Sequence, residues 1–297
     1  MKDEWVQFLN QLSHDPYLFE VEDFMPSAWI GHSPIMKFLI REMQPKTFVE
    51  LGVHNGFSYF VACQSIAQNR ADTRAFAIDH WVGDEQAGFF SREVFQSVTQ
   101  INSKYDSFST LLKMNFEDAL TKFEPKSIDL LHIDGLHTYE SVRADFYSWL
   151  PKISENGVLL LHDIHVRRTS FGVYKLWEEI KKNFLTIEFV GSHGLGVVFL
   201  GKSTGKLDLV RQMSEAGFLP QIQGTFGSIS DDILQSWRNN EINRFQTKLT
   251  ELVAERDGLV AERDVVLENL KSISESTIWK STRPYRLMRD KLAKLNN

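Results

Sequence analysis

The sequence predicts an α/β fold built on a doubly wound, mostly parallel sheet, preceded by helices and followed by a coiled-coil helix. Between residues 47 and 200, short apolar runs alternate with longer amphipathic segments. That alternation is typical of repeated βα units around a parallel sheet. From residue 231 onward, apolar residues recur at spacings of three and four, which is typical of a coiled coil.

The individual elements follow from the apolar periodicity. Residues 1–44 have apolar side chains at helical spacing, and Pro45 ends the helix before it. Later helices are predicted near residues 62, 92, 119 and 145 and over 173–182. Seven strands alternate with these helices, at residues 47–51, 74–78, 109–113, 128–133, 157–162, 185–190 and 196–200. Residues 45–203 are therefore predicted to form a seven-stranded, Rossmann-like domain.

The chain changes character twice after residue 203. Residues 204–230 are polar and contain several glycines and serines, which predicts a linker. In 231–275, the segment 252–258 is nearly repeated by 259–265, a seven-residue period whose apolar seam is interrupted by two arginines. This seam predicts self-association as a dimer or a trimer. The alternative is that the helix packs on the chain's own α/β domain.

Residues 276–297 are a basic tail. Between residues 280 and 297 there are six Lys or Arg residues and one Asp, with Trp279 and Tyr285 nearby. A cationic segment with aromatic side chains can rest on an anionic membrane surface, or it can be a solvated helix end. The sequence leaves both interpretations open.

Composition excludes several classes of protein. The formal net charge of −6 argues against a nucleic-acid-binding protein, since neutralising phosphates requires a basic face. The single cysteine, Cys63, allows neither an intrachain disulfide nor a multi-thiolate metal site. The N-terminus lacks the pattern of a secretion signal, and the apolar runs are far shorter than a spanning helix. We therefore expect a cytoplasmic protein, peripheral at the inner face of the membrane if the tail binds there.

A glycine-containing motif lies where the first strand should turn into a helix. Gly52 and Gly56 let the backbone turn tightly and approach a ligand closely. A dinucleotide fingerprint would need glycines at positions occupied by His54 and Phe57, so pyrophosphate binding is not expected. The motif suits a ligand without phosphate, whose cationic amino group meets Glu50. An ordinary strand-to-helix turn is the alternative.

Two further positions fit a nucleoside. Asp79 follows the second strand at about the distance where an acid meets ribose hydroxyls, although a lone Asp there is also a common helix cap. Asn115, between Met114 and Phe116, stands where a third strand would present an amide and an apolar face to an adenine ring. Together with the glycines, these residues predict a nucleoside site.

Acidic residues and histidines follow two strands that should be parallel neighbours. Asp134 and Asp163 come at the ends of those strands and could converge on one hard divalent cation such as Mg²⁺. His137 lies three residues after Asp134 and could remove a proton from a hydroxyl beside the cation. The alternative is two acids and a histidine that only cap helices.

At these residues the sequence resembles the class I S-adenosylmethionine-dependent methyltransferases, in particular the branch of macrocin-type sugar O-methyltransferases and cephalosporin-hydroxylase-like proteins. The resemblance covers roughly residues 45–201. Its most specific part runs from Ile133-Asp134-Gly135-Leu136-His137 through Leu161-His162-Asp163, and the segments 171–177 and 193–197 are similar too. Residues 276–286 resemble a segment that follows coiled coils in bacterial cell-surface glycosyltransferases.

The resemblance implies an S-adenosylmethionine-dependent O-methyltransferase that acts on a sugar or glycan in bacterial polysaccharide biosynthesis. It implies His137 as the catalytic base and a divalent cation at Asp134 and Asp163. His162 joins them as a ligand, at a position where metal-dependent relatives can carry a third acid. It also implies a glycosyltransferase partner. The expected cofactor-contacting residues are Glu50, Gly52, Gly56, Asp79, Asn115 and Asp134.

Two other functions compete with this one. His132 and Asp134 have the His-x-Asp spacing of an iron and 2-oxoglutarate oxygenase, although the βα pattern differs from the many short strands of a jelly roll. A non-catalytic scaffold, in which the coiled coil recruits glycan-assembly enzymes, is the other alternative.

Overall fold

The structure is a computed structural model that describes residues 2–84 and 88–295. The chain divides into two compact units, and the boundary between them in the sequence falls between Trp237 and Arg238. The first unit contains all the described strands, and the described part of the second is helical. The end of the predicted basic tail, residues 296–297, lies outside the described residues.

The first unit is organised around a seven-stranded sheet. Its strand order is β5-β2-β1-β6-β7-β9-β8, and β3 and β4 form a separate two-stranded ribbon. The first five strands in this order are parallel, whereas β9 is antiparallel to both of its neighbours. The strands are β1 (Thr47–Leu51), β2 (Arg74–Asp79), β3 (Gly83–Asp84), β4 (Gly88–Phe89), β5 (Ser109–Lys113), β6 (Ile128–Ile133), β7 (Ile153–His162), β8 (Leu185–Phe189) and β9 (Leu195–Phe199).

This sheet confirms the predicted α/β class and its mostly parallel, Rossmann-like arrangement. The seven predicted strands are all present, because the central strands of a sheet covered on both faces are short continuous apolar runs. All five residues of β1 and of β9 are buried. The largest difference is β7, which begins at Ile153, ahead of the predicted start at residue 157.

Helices cover the sheet and continue beyond it. They are α1 (Lys2–Ser13), α2 (Pro16–Phe19), α3 (Ser33–Met43), α4 (Phe57–Asn69), α5 (Arg92–Asn102), α6 (Phe116–Ala119), α7 (Tyr139–Trp149), α8 (Val173–Ile180), α9 (Gly205–Met213), α10 (Leu219–Glu275), α11 (Thr277–Ser281) and α12 (Arg283–Leu295). No helix in the described ranges is long and apolar enough to cross a membrane.

The N-terminal helices belong to the core of the first unit. Trp5, Phe8 and Leu12 of α1 are buried in the same apolar cluster as Phe48 of β1. Trp29, just before α3, is only 1 % exposed. Residues 1–44, predicted as a separate helical segment, thus contribute large side chains to the packing of the sheet domain.

Residues 204–230 do not form the predicted linker. They comprise α9, a π-helical turn at Ser214–Phe218 and the start of α10. Ile222, Phe226 and Ile229 are buried against the first unit's core. The spacing of these residues, four and then three, is helical, and their burial outweighs the low helix propensity of the neighbouring glycines.

The second unit has the predicted helix with its apolar side chains exposed. Phe245 is 69 % exposed and Leu259 is 61 % exposed. Within its described residues no side chain of this unit is buried. The helix is therefore observed, while its self-association stays a prediction.

Candidate functional site

One cavity of about 730 Å³ opens at the carboxyl ends of the parallel strands. The backbone amide of Asp134 donates to the carbonyl oxygen of Leu51 at 2.8 Å, so the ends of β6 and β1 lie side by side. The amide of Gly52 donates to the carbonyl oxygen of Ile78 at 3.0 Å and joins β1 to β2 in the same way. Ligands of open α/β sheets bind at this edge.

The loop after β1 requires its two glycines. Gly52 has φ +85°, and a Cβ there would lie 2.1 Å from the carbonyl oxygen of Asp134. Gly56 has φ +86°, and a Cβ there would lie 2.5 Å from the ring of Phe60. Both positions line the cavity. The predicted close approach of the backbone is confirmed as geometry, while contact with a ligand stays a prediction.

Asp79 lies in the cavity wall and holds the glycine loop. Its Oδ2 accepts hydrogen bonds from the backbone amides of Val53 at 2.9 Å and His54 at 3.0 Å. Its Oδ1 accepts one from the amide of Trp81 at 2.6 Å. A carboxylate oxygen has two acceptor positions, so Oδ1 retains one for a ligand hydroxyl.

Glu50 does not line the cavity, unlike the other predicted cofactor-contacting residues. It is fully buried, and Ser58 Oγ donates to its Oε1 at 2.7 Å. Its Oε2 lies 3.0 Å from His132 Nδ1, without the alignment of a hydrogen bond. Burial raises the pKa of Glu50, against the effects of His132 and Ser58. Glu50 therefore lies beneath the loop that follows β1 and contacts Ser58 and His132, so the predicted contact of Glu50 with a cofactor is wrong.

His132 is unsuited to iron. It is fully buried, and its Nε2 accepts a hydrogen bond from Trp29 Nε1 at 3.1 Å. Its other ring nitrogen faces Glu50. The oxygenase alternative is therefore wrong for His132, because both ring nitrogens are turned toward groups away from the cavity.

The predicted metal ligands converge. Asp134, His162 and Asp163 each offer one ligand atom, and these atoms all lie within 4.8 Å of one another. His162 Nε2 lies 2.9 Å from the carbonyl oxygen of Ser192, which can only accept, so Nε2 carries a proton. His162 Nδ1 is 3.2 Å from Asp134 Oδ1. A histidine that donates to a backbone carbonyl through one nitrogen presents the other to a metal in many sites.

Groups of opposite charge lie close together in this cluster. Burial alone would raise the pKa of Asp134, but His162 and His137 outweigh it and hold that pKa well below its usual range. Burial alone would lower the pKa of His162, but the charge of Asp134 and its hydrogen bond raise it to about 9. Carboxylates and imidazoles here stabilise each other's charged forms.

His137 lies beside both acids. Its Nε2 is 2.8 Å from Asp163 Oδ2 and 3.6 Å from Asp134 Oδ1, and its ring stacks on Phe171 with centroids 4.6 Å apart. Burial alone would lower the pKa of His137, but Asp134 and Asp163 outweigh it and raise the pKa to about 10. In this arrangement His137 is a cation at neutral pH. It becomes a base only when other positive charge satisfies the two carboxylates.

Asn115 and Phe116 line the cavity as predicted. Asn115 is the residue before α6, and its Nδ2 lies 3.5 Å from Asp118 Oδ2. Phe116 borders Gly135 closely, since a Cβ at Gly135 would lie 2.5 Å from Phe116 Cε2. An amide and an aromatic ring therefore stand together at the end of β5.

Two residues of the site have no assigned role in the sequence-based prediction: His193, which the sequence indicates only as a loop or cleft-lining histidine, and Asp145. His193 Nδ1 lies 2.9 Å from Asp163 Oδ1, and Asp145 of α7 lines the cavity. His193 lies in a loop, and nothing in the sequence connects it to Asp163. Asp145 directly precedes Phe146, which is buried together with Val142, so an acid at the edge of a buried helical stripe was a usable indication.

Residues 49–164 match a family model described as a methyltransferase domain. "Uncharacterized protein y4gI" from Sinorhizobium fredii (strain NBRC 101917 / NGR234) is 41% identical over 212 residues, which are 71% of this chain and 23% of that protein. The chain thus spans about a quarter of the length of this relative.

Solved structures with a similar fold include O-methyltransferases. The O-methyltransferase TomG from Streptomyces achromogenes, in complex with SAM, is 16% identical over 66% of this chain and 89% of that chain, with a TM-score of 0.45. An O-methyltransferase from Bacillus cereus, in complex with SAH, is 14% identical over 65% of this chain and 89% of that chain, with a TM-score of 0.44. Residues 49–164 are thus similar to a methyltransferase domain, and they lie within the observed Rossmann-like sheet.

Proposed function

We propose that this chain is an S-adenosylmethionine-dependent O-methyltransferase of a sugar hydroxyl, with a divalent cation at Asp134, His162 and Asp163 and with His137 as the base. One observation carries the proposal. A single cavity joins the glycine loop and Asp79 to the cluster of acids and histidines. A methyl donor and a hydroxyl acceptor could therefore be held side by side, which is the main requirement for direct transfer.

The methyl donor would lie along the ends of β1 and β2. Gly52 lets the sulfonium part approach the backbone, and the remaining acceptor position on Asp79 Oδ1 fits a ribose hydroxyl. Glu50 is sealed below the loop, so the amino group of the donor would meet Asp134 instead. Asp134 keeps its carboxylate partly exposed to the cavity, with a side-chain exposure of 20%.

The donor set fits a divalent cation. The two carboxylates are suitable ligands for Mg²⁺ or Mn²⁺. The imidazole also allows Fe²⁺ or Zn²⁺, because a nitrogen ligand favours transition ions. A bound cation would offset the negative charge of the two acids and acidify a hydroxyl group of the acceptor. The hydrogen bond between His162 and Ser192 holds the imidazole in the orientation that such a site needs.

In the transfer step, the acceptor oxygen forms a bond to the methyl carbon while the carbon–sulfur bond breaks. The hydroxyl proton passes to Nε2 of His137, which faces the two acids. The products are a methyl ether and S-adenosylhomocysteine. Phe171 stacks on the His137 ring and fixes its plane, so the base is positioned before the acceptor arrives.

The side chains in the cavity walls support the proposal of a sugar acceptor. Phe90 stacks on His54 with centroids 4.3 Å apart, and both side chains line the cavity together with Phe171. Flat aromatic faces beside hydrogen-bonding groups suit the alternating apolar and hydroxyl surfaces of a sugar ring. The motif resemblance to macrocin-type enzymes supports the same class of acceptor and a role in polysaccharide biosynthesis.

We assign self-association to the second unit, because its apolar seam is exposed along its whole length. A glycosyltransferase partner and contact of the basic tail with an anionic membrane surface belong to the same proposal. These roles leave the chain cytoplasmic and peripheral at the inner face of the membrane. Nucleic acid is not an expected partner, given the net charge of −6.

Calorimetry and a transfer assay test the proposal together. S-adenosylhomocysteine is titrated into the full chain, and labelled methyl transfer to a panel of nucleotide sugars and oligosaccharides is then measured with and without a chelator. We expect binding to one site per chain and transfer that the chelator abolishes. His137→Gln should lower turnover by about 10²- to 10⁴-fold with unchanged S-adenosylhomocysteine affinity. The control is His14→Gln, which changes an exposed histidine near the N-terminus that does not line the cavity.

Each assignment has its own contradiction. Full turnover in the presence of chelator would contradict the divalent cation. Full turnover of His137→Gln would contradict the assignment of His137 as the base. No binding of S-adenosylhomocysteine at saturating concentration would remove the methyltransferase function. Binding without transfer to any acceptor, in a chain that still associates, would favour the scaffold.

A further inference from the structure

The cavity contains a carboxyl group that the proposed mechanism does not use. Asp145 lies on α7, half-buried, and lines the cavity. Among residues 2–84 and 88–295 its carboxylate has no hydrogen-bond or ion-pair partner. Burial raises the pKa of Asp145 to about 7, and no neighbouring group lowers it. A carboxylate poorly solvated and without a donor is costly unless a ligand supplies one.

The Asp145 carboxylate lies close to Gly135, two residues beyond the end of β6. A Cβ at Gly135 would lie 3.5 Å from Asp145 Oδ2 and 3.2 Å from Phe116 Cζ. The carboxylate and the aromatic ring therefore border the same small area of backbone. α6, which begins at Phe116, packs against α7, which carries Asp145. A planar ring could stack on Phe116 with its edge at the carboxylate.

The strand order indicates which part of the methyl donor would lie beside Phe116 and Asp145. Asp79 ends β2, and β5 is the next strand outward in the sheet. β5 leads to Asn115 and Phe116, so a ribose at Asp79 continues toward Phe116. The acids and histidines follow β6 and β7, which lie on the other side of β1 from β2 and β5 in the sheet. The base of the nucleoside thus lies on the Phe116 side.

We infer that Asp145 accepts a hydrogen bond from the exocyclic amino group of the adenine ring of the methyl donor. This inference rests on the proposed function, because it needs an adenosyl donor in the cavity. Above its pKa of about 7, as in calorimetry at about pH 8.5, the Asp145 carboxylate is ionised and only accepts hydrogen bonds, whereas the N6 amino group of adenine only donates them. A 6-oxo base would place an oxygen against the carboxylate. Asp145 is therefore a specificity-determining residue for adenine.

A matched pair of ligands tests the inference. S-adenosylhomocysteine and S-inosylhomocysteine, which has a 6-oxo group, are titrated by calorimetry into the full chain and into Asp145→Asn. We expect the unchanged chain to bind the adenosyl compound about 10-fold or more tightly, as for a hydrogen bond to a charged group. In Asp145→Asn the preference should fall below about 3-fold, because the amide can donate to the 6-oxo group.

Two further variants complete the experiment. Glu140→Gln removes an exposed acid from the first turn of the same helix and should keep the full preference. Asp145→Ser should lose the preference without any gain for the inosyl compound, and it replaces the asparagine variant if that protein does not fold. Thermal unfolding checks folding of each variant.

The outcomes separate the inference from the proposed function. Equal preference in the unchanged chain and in a folded Asp145 variant would overturn the inference, and so would the absence of any preference in the unchanged chain. If neither compound binds the unchanged chain, the proposed function fails first and the inference fails with it.

Discussion

The two units of this chain treat their apolar residues in opposite ways. In the first unit, Trp29, Phe48 and Trp149 are at most 1 % exposed. In the second unit, Phe245 and Leu259 are more than half exposed. The first unit therefore has a core of its own, whereas the apolar side chains of the second unit are exposed to solvent. This difference is the reason for proposing chemistry in the first unit and association through the second.

The largest expected effect is on association. Leu252→Asp combined with Leu259→Asp places two charges in the apolar seam of every helix, and burying unpaired charges should cost about 4 kcal/mol or more per associating pair. We expect light scattering after size exclusion to show monomers at concentrations where the unchanged chain associates. S-adenosylhomocysteine affinity should stay the same.

The control for this variant is the same charge change on the outward face. The control variant combines Ala254→Asp with Ala261→Asp. Each alanine follows one of the two leucines by two residues, which places it on the opposite side of the helix. This protein should associate normally. If both double variants behave alike, or if the unchanged chain is itself a monomer, the contrast between the units is wrong.

The next effect is on the stability of the first unit. Gly52→Ala would force a Cβ to within 2.1 Å of the Asp134 carbonyl oxygen at a positive φ, and we expect it to lower the free energy of unfolding by about 3 kcal/mol. Gly191→Ala also has a positive φ, but its Cβ would meet nothing within 4 Å, so about 1 kcal/mol is expected. Equal losses in denaturant unfolding would show that the close approach is not tight. Association should be unchanged in both.

The smallest effect concerns a buried charge of the first unit. Lys37 is fully buried, its Nζ donates to the carbonyl oxygen of Glu20 at 2.6 Å, and burial lowers its pKa to about 8. The unfolded chain holds this proton up to a higher pH, so the free energy of unfolding should rise between pH 8 and pH 10. The rise should be about 2 kcal/mol and absent in Lys37→Met. Parallel curves for the two proteins would contradict this assignment.

The sequence predicted the sheet well for a physical reason. Strands covered on both faces are short and continuously apolar, and such runs are hard to mistake when helices separate them. Residues 204–230 were harder, because glycines and serines suggested a linker. The periodic Ile222, Phe226 and Ile229 carried the correct information.

The candidate site was only partly predictable. Asp134 and Asp163 follow strands, so topology alone places them near each other. Glu50 also follows the pattern of a ligand residue, but its burial depends on Ser58 and His132 contacts that no spacing reveals. The contact of His193 with Asp163 likewise depends on the folded loop.

The hydrogen bond from Trp29 to His132 has a practical consequence for anyone who shortens this protein. A version starting after residue 29 would leave an imidazole and the adjacent Glu50 carboxylate open to water directly below the glycine loop. Those two groups would then lose the buried contacts that they make in the intact chain. The first helices thus support the residues beneath the cavity, and an expression design should retain them.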